Sequence, residues 1–218
     1  PPGTIAHQQH PYQSWQNSPA CAIFLNKPSS RKWYVGFKDG GRGGPTEADP
    51  YYAAVELKSE AKLTHFTITT APDMPGRDPK TWAIQGSNTG EDNSWTDIYR
   101  CDATGRGDSP LRESPRCETT VFTSFNTLGI STGTKPADGR NLKAALKRTR
   151  QKIEEPDFPR EKKSYKWFRI VVTSCFNANS LTYDDFNRPP GFALGQVEFF
   201  GRAGGSSGGG RPWQVYTP

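Results

Sequence analysis

The chain is poor in the residues that carry most protein chemistry. Its 218 residues include three histidines, one methionine and four cysteines. Two of the histidines, His7 and His10, stand in a polar N-terminal stretch, so His65 alone is left in the body for metal or nucleophilic work. Cys21, Cys101, Cys117 and Cys175 form no Cys-x-x-Cys unit, which argues against a zinc site or a dithiol redox pair. A disulfide between Cys101 and Cys117 would close a Gly-, Pro- and Ser-containing connection, and buried thiols are the equal alternative. No His-Glu-x-x-His, Gly-x-x-x-x-Gly-Lys-Ser/Thr or Gly-x-Gly-x-x-Gly motif is present, and there is no Asn-x-Ser/Thr sequon. The pair Asp184-Asp185 reads as a polar turn, because neighbours on a strand point to opposite faces. An enzyme is therefore not expected. Hydrophobic residues make up only 33%, and no run approaches the roughly 20 apolar residues that cross a bilayer. Pro1 to His7 has neither a charged start nor an apolar stretch, as a mature or excised domain also would.

Against these absences stand 22 Gly and 19 Pro, a composition of turns and loops around a β-rich body. Strand patterns fall at 55–57, 62–70, 82–87, 95–101, 117–125, 166–173 and 196–200, each bounded by turn residues. The stretch from Arg77 to Tyr99 reads as two paired strands about a polar turn, 86–93. In 62–70, Phe66 and Ile68 share one face and His65, Thr67 and Thr69 the other, which predicts a solvated His65. At least seven short strands with this punctuation predict an all-β antiparallel sandwich. The expected organisation is an arm at 1–19, one sandwich domain at 20–202, and a Gly/Ser linker with an aromatic tail at 203–218.

One segment departs from this pattern. Leu142, Ala145, Leu146, Thr149 and Ile153 lie at helical spacing before Pro156, predicting one inserted helix within about 138–163. Residues 140–163 hold nine basic and four acidic side chains, which is nearly all of the chain's net charge of +6. Such a segment is either a solvated helix laid on the sandwich or a contact for an acidic partner. Nucleic acid is not expected, because no aromatics are interleaved with the basic residues.

The motif Pro79-Lys-Thr-Trp82-Ala-Ile84-Gln-Gly86-Ser-Asn-Thr-Gly90 with Trp95 downstream, then Phe168-Arg169-Ile170, then Glu198-Phe-Phe-Gly201, resembles the discoidin or coagulation factor 5/8 type C superfamily. That superfamily is galactose-binding-like and includes carbohydrate-binding modules. The resemblance spans about residues 20–201 and implies a jelly-roll sandwich that binds glycans, without catalysis, through loops at one end. By position it implies a site from Asp73 and Arg77 in the loop before the Trp82 strand. The loop between the last two strands adds Phe176, Asn177, Asn179, Tyr183, Phe186 and Arg188. Trp33 is expected in the core and Tyr34 as an exposed ring. Relatives often carry structural calcium where this chain has Leu25 to Trp33, but Lys27 and the lack of carboxylates there remove the oxygens Ca²⁺ favours, so no metal is expected.

Gly105-Arg106-Gly107-Asp108-Ser109-Pro110 contains the adhesive tripeptide Arg-Gly-Asp, in residue types a turn uses anyway. It and the basic insertion support an alternative reading, a protein–protein interaction module in a larger assembly. A phospholipid surface would need apolar spikes such as Phe186 and Phe192 beside Arg188. An extracellular or cell-surface location accompanies the glycan reading.

Overall fold

A single long strand organises the chain. The computed structural model describes residues 6–9, 20–24, 32–37, 44–72, 74–102, 109–113, 116–122, 130–131, 163–176, 191–203 and 213–214. Within them β3, Tyr51–Thr69, runs through both layers of the molecule and changes partners midway. Its first half lies between β1 (Ala6–Gln9) and β8 (Tyr165–Cys175). Its second half lies between β6 (Thr119–Phe122) and β10 (Gln196–Ala203). The change coincides with a register shift between Glu56 and Ala61, an irregularity that bends a strand from one layer into the next.

The first layer continues from β8 to β4 (Pro79–Ser87) and β5 (Thr96–Cys101). The second adds β7 (Ile130–Ser131) beside β6 and β11 (Trp213–Gln214) beside β10. A two-stranded ribbon of β2 (Trp33–Gly36) and β9 (Gly191–Leu194) stands apart. All pairings are antiparallel.

Alternation of side chains then makes one core between the layers. Phe168, Ile170 and Val172 of β8, Trp82 and Ile84 of β4, and Val55, Phe66 and Ile68 of β3 face inward and are buried. Phe66 and Phe122 of the second layer stack at 4.9 Å, and both meet Trp82 of the first layer edge-on, at 5.9 and 5.2 Å. The indole N–H of Trp82 donates to the Ser109 hydroxyl at 3.1 Å, so the largest core ring leaves no unpaired polar atom.

The antiparallel sandwich expected from the sequence is present, with three differences, and of the two alternatives left open for Cys101 and Cys117 the unbridged one is present. The strands anticipated at 55–57 and 62–70 are one strand, whose pairing stops at Glu56 and resumes at Ala61 across an irregularity in the polar stretch between them. His65 is half-buried rather than solvated and stacks on Phe200 at 4.4 Å; on the same face Thr67 and Thr69 are fully buried. Thr67 donates to the Glu198 carboxylate at 3.1 Å, and the Thr69 and Thr119 hydroxyls meet at 2.7 Å. Cys101 and Cys117 do not bridge, and Cys117 takes a left-handed φ of 59° in the turn before β6. The N-terminal arm and the tail each supply a strand, β1 and β11, to the edges of the layers. The predicted helix within 138–163 lies outside the described residues.

Candidate functional site

At one end of the sandwich the loop before β4 meets the loop after β8. The loop before β4 ends in a 3₁₀ turn, Pro75–Arg77, entered through a proline that presets φ. Its backbone is tied by Arg77 N–H to Met74 O at 3.0 Å and Asp78 N–H to Pro75 O at 3.1 Å. Arg77 is buried, and its guanidinium lies over the Tyr34 ring, 5.0 Å from its centroid; Lys32 Nζ lies 5.4 Å from the same centroid.

Tyr34 is the hinge pin of this end. Trp33 and Tyr34 are successive strand residues and so point to opposite faces. Trp33 enters the core, edge-on to Phe192 at 4.7 Å, while Tyr34 packs with Ala71 and Ala193 in a small separate cluster. Its ring crosses Gly191, where an added Cβ would come within 3.0 Å of the ring and 2.9 Å of the Val35 carbonyl. The exposed ring anticipated for Tyr34 is thus corrected: it is 7% exposed, because the ribbon's second face is covered by the Arg77 turn and by its own partner strand. Phe192, considered above as a membrane spike, is fully buried in the core.

The loop after β8 is fastened at both ends to the same place. Phe176 N–H donates to the Asp78 carbonyl at 3.3 Å, and the Cys175 thiol donates to the Gly191 carbonyl at 4.0 Å. Asp78 is almost completely buried, and Arg116 holds its carboxylate with two hydrogen bonds of 3.0 and 2.7 Å. Arg116 also donates to the Leu111 carbonyl at 3.4 Å, so the turn at 110–113 joins the same support. Sequence reasoning missed Asp78, Arg116 and Lys32. Only the adjacency of Asp78 to Arg77 was visible, since Arg116 reaches it from 38 residues away.

Of the residues anticipated for binding, Tyr34, Arg77 and Phe176 are thus brought together. Asp73, Asn177, Asn179, Tyr183, Phe186 and Arg188 lie outside the described residues, as do Arg106, Gly107 and Asp108. Among the described residues no group of three or more His, Cys, Asp or Glu side chains gathers as a metal site would. No described helix is long and apolar enough to cross a membrane.

The class these features define is an antiparallel β-sandwich with an aromatic–guanidinium stack, Tyr34 and Arg77, at one end. Comparison with solved structures finds the chain similar to a fragment of a putative chitobiase from Bacteroides thetaiotaomicron, at 13% identity and a TM-score of 0.50. That match covers 93% of this chain and 89% of that chain. It is also similar to an F5/8 type C domain from Bacteroides fragilis (10% identity, TM-score 0.49, 92% of each chain). A further match is the family 32 carbohydrate-binding module from C. perfringens NanJ in complex with galactose (10% identity, TM-score 0.48, 90% of this chain and 92% of that one). At these identities the likeness is one of fold alone. No family model matches the chain, and no curated protein does.

Proposed function

We propose that this chain is a non-catalytic carbohydrate-binding module that takes a glycan through the loops at the Arg77 end of the sandwich. The observation that carries this reading is the Tyr34–Arg77 stack, beside which Phe176 is bonded to Asp78 and Gly191 lies against the Tyr34 ring. Stacking on Tyr34 fixes the guanidinium in advance, so a sugar hydroxyl meets a donor that has little rotamer freedom left to lose. Phe176 and the loop residues Asn177, Asn179, Tyr183, Phe186 and Arg188 supply ring faces and amides suited to the C–H face and hydroxyl rim of a sugar. An extracellular or cell-surface setting accompanies this function.

The test is a glycan array probed with the wild-type chain, Arg77→Gln and Tyr183→Ala. Specific binding lost in either variant supports the reading. Because Arg77 is buried against Tyr34, its variant should also melt lower, and Tyr183→Ala serves as the control for site loss without that effect. A folded wild-type chain that leaves the array blank overturns it, and the alternative of a protein partner engaged through 138–163 or the Arg106-Gly107-Asp108 loop then takes its place.

A further inference from the structure

A second aromatic site lies on the outer face of the first layer. Strand alternation that turns Phe168 and Ile170 inward turns Trp167 and Arg169 outward. Ala54, Arg169 and Gln85 are register partners across β3, β8 and β4, and Asp97 of β5 is next in the row. The hydrogen bonds follow that register. Arg169 Nε donates to Gln85 Oε1 at 2.7 Å, Gln85 Nε2 donates to Asp97 Oδ1 at 2.7 Å, and Arg100 donates to Asp97 Oδ2 at 3.0 Å. Asp97 is therefore committed at both oxygens.

Above this row the β4–β5 hairpin folds back over β8. Ser87 Oγ accepts from the backbone N–H groups of Thr89 and Gly90, at 3.1 and 2.9 Å, and Asn88 Oδ1 accepts from Lys166 N–H at 2.9 Å. Gly90 is required here: its φ is +78°, and an added Cβ would stand 2.9 Å from the Trp167 indole. The result is a cavity of about 200 Å³ lined by Tyr52, Thr89, Gly90, Trp95, Trp167 and Arg169.

The chemistry of the cavity is unbalanced. The Arg169 guanidinium lies 4.1 Å from the Trp95 ring centroid and 5.0 Å from that of Tyr52. Among the described residues its one hydrogen bond is from Nε, which leaves both terminal nitrogens unengaged by them. Its nearest partners are two ring faces and a neutral amide, and burial pushes its pKa down, with Tyr52, Asp92 and Asp97 opposing the shift only through space. The Trp95 indole N–H is removed from solvent and has no hydrogen-bond partner among the described residues. Among the described residues no carboxylate lines the cavity. It therefore offers donors, positive charge and ring faces, and lacks an anionic acceptor.

We propose that this cavity is a second binding site, distinct from the loop end, for a carboxylate-bearing sugar residue such as a uronate. A planar carboxylate matches the two terminal nitrogens of Arg169 as a bidentate pair. A pyranose ring is of the cavity's size, and its C–H face suits Trp167.

The experiment is a titration of the full chain with sodium D-galacturonate, followed by the indole N–H resonances of its tryptophans in proton–nitrogen NMR, with D-galactose and sodium acetate as controls. Galacturonate is expected to shift the Trp95 indole resonance saturably, with each control at least about tenfold weaker. Arg169→Lys keeps the charge but loses the fork, and should weaken galacturonate by about tenfold or more; Arg77→Gln should leave it unchanged, which separates this site from the loop site. Binding should also disappear below the carboxylate's pKa, about 3.5. Three results overturn the proposal: a Trp95 resonance that does not move in the wild-type chain, acetate binding as well as galacturonate, which would reduce the cavity to a bare anion receptor, or galacturonate binding that Arg77→Gln abolishes.

Discussion

Arg116 grips the buried carboxylate of Asp78 with a two-pronged hydrogen bond, at 3.0 and 2.7 Å, one residue from Arg77. Asp78 is 1% exposed, whereas the Arg116 side chain is 23% exposed. Removing the arginine strands a charge that water reaches poorly, a loss of about 3 kcal/mol. Arg116→Met should therefore lower the melting temperature by several degrees. The double variant with Asp78→Asn should recover much of that, because the stranded charge is gone. Equal melting of Arg116→Met and wild type would refute the supporting role of the pair.

Gly191 is where the end ribbon and the loop site share one atom's worth of space. Alanine there puts a methyl 2.9 Å from the Val35 carbonyl and 3.0 Å from the Tyr34 ring. Backbone cannot give way cheaply, so Gly191→Ala should cost about 1–3 kcal/mol. It should also displace Tyr34 from Arg77, and the glycan binding proposed for the loop end should fall along with stability. Thermal unfolding and array binding on the same preparation check both.

Phe122 couples the two layers. It is fully buried, stacks on Phe66 and meets Trp82 and Tyr99 edge-on at 5.2 and 5.7 Å. Truncation to alanine leaves a cavity among rings that cannot collapse into it, a loss of about 3–5 kcal/mol. Phe122→Leu should cost distinctly less, and denaturant midpoints for the two variants decide it.

Glu118 gives the fold a pH dependence. Burial holds its carboxyl above the ordinary pKa, so the native state keeps this proton longer than the unfolded chain does. Between those two pKa values stability falls as pH rises, and above both Glu118 is a net cost. Glu118→Gln should melt higher than wild type at neutral pH, and the two should converge in acid, below the usual carboxylate range. A constant difference at all pH values would contradict this.

Much of the sandwich was legible because strand alternation is a local property. The runs at 82–87, 95–101, 166–173 and 196–200 each lie within or nearly within an observed strand, and the turn between Trp82 and Trp95 forms a hairpin. The ribbon of β2 and β9 was not legible, since four-residue strands such as Trp33–Gly36 carry too few alternations to stand out. The bend of β3 was hidden for a different reason: continuity across 58–61 is set by neighbours at either side, which local polarity does not report.

The sequence by itself determined the class of fold, the alternation that puts Trp82 with Ile84 and Phe66 with Ile68, and the turn between Trp82 and Trp95. Those follow from periodicity and turn chemistry, which act over a few residues. Only the tertiary structure decided that Tyr34 is covered, that Arg116 answers Asp78, and that Tyr52, Trp95, Trp167 and Arg169 line one open cavity. Each of these depends on contacts between segments tens of residues apart; for Tyr34, Tyr52, Trp167 and Arg169 a register shift of one residue would turn the side chain to the other face.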